Sequence, residues 1–431
     1  MLSSFLIRNF RSILELKLDF AYGEGKAPPR HQEQEIMPFL EGTKKQRLVP
    51  CMAFFGANAS GKSNILKALG TIKFFMSADQ APTLAYIFDP NRLNPKFEDT
   101  TLEPTFVCDG DDYVYSLTYS AHSIKEESLV RNGKLVFSIK NMEASFSAEV
   151  LSPTYTHEKL SEIMKVECSD GENRQTEPFL RRIGRSYPGL NPATKAAFSF
   201  LAFKLNYHEN QQSLPFPISV DILSKALNGN KTEAMLEIAE TLRKFDVTIH
   251  GIDIAQTSIG ETDPIQSNVL LQIDKHTGAR HTLHTISKHK DISGNIAVFD
   301  FIKHESTGTQ HLAGLIGLIL YTLKTGGLLV VDELECSLHP LIVREIVLLF
   351  KARRHNPKNA QLIFNTHNSD ILDDSILRIS EIALLRKNLV NGTICRRLTD
   401  LRKDGADVRN VTNFRKQYLS GLYSGIPYPA L

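Results

Sequence analysis

The apolar positions of this chain follow two periods that change from segment to segment. In SSFLIRNFRSILELKLDF, residues 3–20, apolar and polar side chains alternate, which predicts a strand, a turn near Phe10 to Ser12 and a second strand ending near Phe20. AYGEGKAPPRHQEQEIMPFLEGTKKQR mixes Pro, Gly and charge without a period and predicts a long surface loop. LVPCMAFFG then predicts a buried strand, and KSNILKALGTIKFFMS, from Lys62, has helical spacing. Strand, Gly-rich turn and helix follow one another directly.

From Thr105 to Leu117 and from Lys134 to Ile139 the pattern predicts short strands broken by DGDD and NGK, both hairpin signals. Between about Tyr155 and Phe245 it turns to helices and polar loops, KTEAMLEIAETLRKF being the clearest amphipathic piece. VTIHGIDIAQ and NVLLQIDKHTGARHTLHTI return to strand alternation. Beyond Ile296 the expected order is strand (Val298 to Ile302), helix (Gln310 to Leu323), strand (Leu328 to Asp332), helix (Leu341 to Phe350), strand (Gln361 to Asn365), short helix and strand (Glu381 to Leu385). Such alternation implies an α/β fold with a largely parallel sheet covered by helices. The expected division is an N-terminal lobe with an antiparallel β subdomain over 1–140, a mostly helical insertion over 141–250 and a C-terminal lobe over 251–431.

Composition narrows the class without choosing a function. The chain has 431 residues, 42% hydrophobic and 23% charged, enough apolar surface for a large core. A formal net charge of +2 makes no global field that would by itself attract nucleic acid or an anionic membrane. Five dispersed cysteines, Cys51, Cys108, Cys168, Cys336 and Cys395, make neither a CxxC pair nor a disulfide framework and read as reduced thiols. MLSSFLIRNFRSI has arginines where a signal peptide would be apolar, and the apolar run LAGLIGLILYTL from Leu312 is shorter than the ~20 residues of a membrane helix. A cytoplasmic protein with no membrane partner is expected.

Four segments carry candidate chemistry. GANASGKS fits G-x-x-x-x-G-K-[ST] between a predicted strand and a predicted helix. In such a loop Gly56, Ala57, Asn58, Ala59, Ser60 and Gly61 turn backbone N–H groups toward phosphate. Lys62 reaches the terminal phosphates, Ser63 contacts Mg²⁺, and Asn64 continues the helix start. GGLLVVDELE ends an apolar strand in Asp332 and Glu333, at the sheet edge where ligands bind. Asp332 would hold Mg²⁺ through water and Glu333 would polarise the attacking water as general base. FNTHNSDIL delivers His367 and Asn368 to the same edge, where the imidazole would contact a terminal phosphate. HESTGTQHL, with Ser306, Thr307 and Gly308, opens a helix and offers either a second anion site or a simple cap. Since one nucleotide already has its cradle, the second helix start would serve a nucleotide held by another copy.

Together GANASGKS, ESTGTQ, LLVVDELECSLHP and FNTH resemble the ABC-type ATPase heads of the OLD-like AAA ATPases, a branch similar to the SMC and RecF repair ATPases. FLIRNFRSI is similar to that family's first strand and turn, and YLSGLYSGIPYP to its C-terminal tail. The resemblance implies two ATP molecules sandwiched in a head-to-tail homodimer or higher even-numbered assembly, each between one P-loop and the signature Ser306–Gly308 of the other copy. It makes Glu335 to Leu338 the D-loop and His367 the switch histidine, leaves the Q-loop glutamine unplaced, and leaves no room for a Toprim nuclease domain. It also points to bacterial anti-phage and abortive-infection systems, with a separate toxin or nuclease effector and a DNA or phage-derived trigger. The alternative is a DNA-repair or DNA-clamp ATPase; a transporter subunit is disfavoured by the material between P-loop and signature.

Two other features read as surface. His276, His281, His284 and His289 have no carboxylates among them and predict an exposed basic hairpin. Arg386, Lys387, Arg396, Arg397, Arg402, Lys403, Arg409, Arg415 and Lys416 make the tail basic, which suits solvated surface first and a phosphate backbone second.

Overall fold

The computed structural model describes residues 1–22, 47–79, 83–93, 99–151, 154–167, 173–187, 191–209, 213–245, 247–259, 270–273, 280–388, 390, 392–403 and 414–421. The expected loop over residues 21–47, Cys168, the HTG turn with His276, Arg409 and most of the closing tail lie largely or wholly outside them. The chain forms two compact units: residues 1–209, 326–334 and 344–431 make the first, and residues 210–325 with 335–343 the second.

The first unit opens with β1 (Leu2–Phe10) and β2 (Ile13–Asp19), antiparallel, followed by β3 (Cys51–Gly56) and α1 (Lys62–Ser77). α1 buries Ile65, Leu69, Ile72 and Met76 along one stripe, at the spacing that puts them on one face. After the short α2 (Leu84–Ile87) come β4 (Thr100–Cys108), β5 (Asp111–Tyr119), β6 (Ile124–Arg131), β7 (Lys134–Lys140) and β8 (Glu143–Phe146), a continuous antiparallel meander. Two of its hairpins turn at Asp109–Gly110 and Asn132–Gly133, all four residues with positive φ as such turns require. α3 (His157–Met164), the two-residue strands β9 (Val166–Glu167) and β10 (Asn173–Arg174), α4 (Phe179–Ser186) and α5 (Pro192–Ser199) lead to β11 (Leu205–Glu209). The helices expected over 141–250 are therefore shared, α3 to α5 in the first unit and the next two in the second.

The second unit holds α6 (Phe216–Ser224), α7 (Lys231–Lys244), β12 (Gly251–Ile259), β13 (Leu270–Ile273), β14 (Arg280–Lys290), β15 (Ile296–Asp300), the single turn α8 (Phe301–His304) and α9 (Thr307–Thr325). The four strands form their own antiparallel sheet, with β14 between β12 on one side and β13 and β15 on the other. α9 and α6 approach through glycine. A Cβ on Gly314 would lie 2.1 Å from the Leu214 carbonyl oxygen, and one on Gly317 2.1 Å from Ser219 Oγ.

The chain returns to the first unit with β16 (Leu328–Asp332). α10 (Pro340–Lys351), β17 (Gln361–Asn365), β18 (Ile382–Asn388), β19 (Gly392–Arg397), α11 (Leu398–Lys403) and α12 (Phe414–Leu419) follow. One thirteen-stranded sheet results, ordered β11-β16-β17-β3-β18-β19-β2-β1-β4-β5-β6-β7-β8. Its first five strands are parallel and the rest antiparallel. The fold is thus α/β, a mixed P-loop sheet continued into an antiparallel β subdomain.

Two placements differ from expectation. The strand expected at Val298 to Ile302 is β15, which pairs with β14 in the separate sheet instead of joining the parallel one, and its last two residues begin α8. The parallel edge is supplied instead by β11, from a stretch read as helical. LNYHE is five residues long, too short for its alternation to stand out beside the helical turns before it.

Candidate phosphate-binding site

β16, β17 and β3 are neighbours, and all three run in the same direction. Their carboxyl ends, Asp332, Asn365 and Gly56, therefore adjoin at the edge where α/β sheets bind ligands. From Gly56 the chain loops back into α1. Ala59 has φ 61° and Gly61 φ 103°, left-handed conformations that turn successive N–H groups to one side. Space excludes a side chain at both glycines: a Cβ would come 2.5 Å from the Leu385 carbonyl oxygen at Gly56 and 2.1 Å from Thr393 Oγ1 at Gly61.

Lys62 is buried and folds back over this loop, its Nζ donating to the carbonyl oxygens of Gly56 at 2.7 Å and Ala57 at 3.1 Å. Ser63 Oγ donates to Asp332 Oδ1 at 2.9 Å, which joins the second predicted motif to the first across 269 residues. Asn64 Nδ2 donates to Ser12 Oγ at 2.7 Å, and Ser12 Oγ pairs with Thr393 Oγ1 at 2.7 Å. The β1–β2 turn and β19 thereby brace the first turn of α1. Asn58 and Ala59 are exposed and Ala57 half-buried, at the open side of the loop.

These residues fit a phosphate and a divalent cation. The amino end of α1 has no side-chain cap, so its positive dipole end is left to a ligand. Ser60 Oγ is buried and finds no hydrogen-bond partner among the described residues, an orphaned hydroxyl inside the loop. The Ser63 hydroxyl and Asp332 carboxylate are adjacent hard oxygen donors of the kind Mg²⁺ takes alongside phosphate oxygens and water. Among the described residues no group of three or more His, Cys, Asp or Glu could hold a metal by itself.

Glu333 is half-buried with φ 57°, so the backbone makes a left-handed turn at the residue expected to act as base. Its N–H donates to Asn365 Oδ1. His367 lies two residues beyond β17 and is exposed, while Asn368 Oδ1 accepts from the N–H of Asp370 at 2.8 Å. Asn365 was not singled out by motif, although it stands inside FNTH. Its carboxamide also donates to Asp332 Oδ1 and, at 3.3 Å, to Ser63 Oγ. Only its place at the end of an apolar strand beside the others could have marked it.

The remaining candidates belong to the second unit. Ser306 Oγ accepts from the N–H of Thr309 at 3.1 Å and pairs with its hydroxyl at 2.9 Å, capping α9. Gly308 lies against the expected D-loop: a Cβ there would fall 2.5 Å from the Ser337 carbonyl oxygen. Thr307 is exposed at the first position of the helix. Glu305, just before the cap, accepts on Oε1 from Ser287 Oγ at 2.6 Å and pairs with His289 Nε2 at 2.7 Å, tying β14 to the start of α9.

The family described as "AAA domain, putative AbiEii toxin, Type IV TA system" matches residues 51–161 and 208–373, well over half of the chain. The chain belongs to this AAA family. The match takes in the P-loop, the Ser306 helix start, β16 and β17 of this AAA protein, and passes over residues 162–207, where α4 and α5 lie. A solved SMC head domain from Thermotoga maritima is similar at 14% identity, over 92% of this chain and 98% of that one, with a TM-score of 0.40. No curated protein matches the AAA protein. No helix among its described residues is long and apolar enough to cross a membrane.

Proposed function

We propose that this AAA protein is a Mg²⁺-dependent ATPase whose nucleotide cycle acts as a dimeric switch in a bacterial defence or toxin–antitoxin setting. The observation that carries the ATPase reading is the Ser63–Asp332 contact at 2.9 Å beside Lys62 and the uncapped start of α1. Residues 56–64 hold the triphosphate. Lys62 exchanges its two carbonyl acceptors for phosphate oxygens, which carry more charge and so bind the ammonium better. Ser63 and Asp332 would hold Mg²⁺, which when bound would supply charge neutralisation to the phosphates. Glu333 orients and polarises water toward the terminal phosphate, and His367 contacts that phosphate from the neighbouring strand.

Ser306, Thr307 and Gly308 serve the nucleotide of a second copy, which makes ATP the adhesive of a homodimer or a larger even-numbered assembly. The family's description, which names a putative toxin and a toxin–antitoxin system, supports the toxin–antitoxin setting; a separate toxin or nuclease as the output and DNA or a phage product as the trigger follow from family analogy alone. One observation favours the alternative of a DNA-bound clamp: Arg386 and Arg396 are exposed on one face of the β18–β19 hairpin. DNA-stimulated hydrolysis that falls steeply with salt would select it.

The test pairs two variants. Lys62→Ala should weaken ATP binding at least ~10-fold, whereas Glu333→Gln should keep ATP affinity, slow hydrolysis by about 100-fold or more and accumulate dimer on size-exclusion chromatography. ATP bound by Lys62→Ala as tightly as by the parent would refute the cradle. Parental turnover in Glu333→Gln would refute the base.

A further inference from the structure

We infer that Asn365 is a positioning residue for hydrolysis, the crossbar that orients the cation-binding pair and the general base relative to each other. The inference rests on the ATPase reading above and assigns a role to a side chain of FNTH other than the expected switch histidine.

Asn365 closes β17, the strand between β16 and β3, and is 1% exposed. Its Nδ2 donates to Asp332 Oδ1 and to Ser63 Oγ, its Oδ1 accepts from the N–H of Glu333, and its main-chain oxygen accepts from the N–H of Leu334 at 3.3 Å. Donor and acceptor in one planar group are what these partners require: two oxygens face the nitrogen and one N–H faces the oxygen. The amide orientation is set by that pattern. A leucine of similar volume offers neither function, and an aspartate keeps only the acceptor.

The consequence reaches both halves of the chemistry. Glu333 sits at φ 57°, a left-handed conformation disfavoured for a residue with a Cβ. The Asn365 acceptor holds that turn, and the turn aims the carboxylate. The donors fix the rotamers of Ser63 and Asp332 so that hydroxyl and carboxylate oxygen lie together. Groups that orient metal ligands in this way typically account for ~10–100-fold in metal affinity or activity. The Asn365 side chain bonds Asp332, Ser63 and Glu333 and not the loop carbonyls that Lys62 uses, so nucleotide binding without metal is spared.

Asn365→Leu and Asn365→Asp test this beside the parent protein. Three quantities are read for each: thermal midpoint, binding of a fluorescent ATP analogue in EDTA and across a Mg²⁺ titration, and steady-state kcat and KM. The expected result for Asn365→Leu is metal-free affinity within ~2-fold of the parent, half-saturating Mg²⁺ raised ~10-fold and kcat lowered ~10–100-fold, with KM for MgATP at saturating Mg²⁺ changed less than ~3-fold. Asn365→Asp loses both donors and should also move the Mg²⁺ midpoint, which keeps the test open if the leucine variant misfolds. An unmoved Mg²⁺ midpoint in the folded variant, or metal-free affinity and kcat falling together with the thermal midpoint, would overturn the inference. Its failure is separable from failure of the ATPase reading: the latter shows as absent ATP hydrolysis in the parent or undiminished binding in Lys62→Ala.

Discussion

The far end of the P-loop helix is held by a buried carboxylate whose ionisation can be tested directly. Glu127, on β6, is 1% exposed and stands at the start of α4, where Pro178 provides no side-chain cap. Its Oε1 accepts from Tyr115 Oη at 3.0 Å and the N–H of Leu180 at 2.9 Å, and its Oε2 from Gln175 Nε2 and the N–H of Phe179, both at 2.6 Å. α4 in turn carries Arg181 and Arg185, which donate to the Ala78 and Asp79 carbonyls at 2.7 and 2.9 Å, at the carboxyl end of the helix that begins with Lys62. Burial pushes the Glu127 carboxyl up to about 7, against the four hydrogen bonds that pull it down. Between pH 4.5 and 7 the unfolded chain loses this proton while the folded chain keeps it. The stabilisation is therefore complete below 4.5, declines as pH rises through 7 and is gone above it. At about 1.4 kcal/mol per pH unit the interval amounts to ~3 kcal/mol.

Glu127→Gln removes the titration and turns an NH₂ toward two of the four donors, a cost of about 2–5 kcal/mol that does not vary with pH. Urea unfolding of both proteins at pH 4.5 and pH 8 cancels every other titrating group. The variant should be more destabilised relative to the parent at pH 4.5 than at pH 8, by ~3 kcal/mol. A difference constant within about 0.5 kcal/mol would show that the pKa is not raised, and one of opposite sign would show that the four donors prevail over burial.

Two further substitutions separate binding from scaffolding. Gly61→Ala combines φ 103° with a Cβ 2.1 Å from Thr393 Oγ1, so the loop must open; ATP affinity by calorimetry should fall more than ~10-fold, and parental affinity would show that the loop tolerates another path. Ser306→Asp keeps an oxygen acceptor for the N–H of Thr309 and so should keep the thermal midpoint within a few degrees, while its charge repels a partner copy's triphosphate. ATPase activity and ATP-induced dimer should both drop at least ~10-fold, whereas Ser306→Ala loses the cap as well, about 1 kcal/mol; full activity in the aspartate variant would leave Ser306 a cap alone.

What could be read from periodicity was local. β1, β3, β16 and β17 and the two hairpins at Asp109–Gly110 and Asn132–Gly133 appear where alternation, apolar runs and turn residues predicted them, because each is decided within a few residues. Partner choice was not local. IAVFD at β15 has the same strand character as LLVVD at β16, yet none of its five residues is fully buried and three are exposed, whereas all five of the latter are buried. An exposed edge of a small antiparallel sheet and the centre of a parallel one thus differ less in pattern than in completeness of the apolar run. β11 shows the converse: its burial comes from β16 on one side and α1 beneath, where Tyr207 fills the space left by Gly70, and neither neighbour is visible from LNYHE.

The same distinction decides how much of the site was legible. GANASGKS and LLVVDE announce themselves because phosphate-binding loops need glycine at fixed offsets and because an apolar strand ending in two acids is an abrupt change of chemistry. The crossbar has no such signature. Asn365 is one polar residue after the apolar Leu362, Ile363 and Phe364, and its meaning arises only when β17 is laid between β16 and β3, which brings Ser63, Asp332 and Glu333 within reach of one carboxamide. The brace from Ser12 and Thr393 to Asn64 is of the same kind, built from residues 381 positions apart in its longest link. Groups that touch a ligand are constrained by the ligand's chemistry and leave a motif, whereas groups that orient them are constrained by the fold and leave none. A scan of alanine substitutions confined to the candidate residues read from the sequence would therefore pass over Asn365, Ser12 and Thr393, which hold Asp332, Ser63 and Asn64 in place.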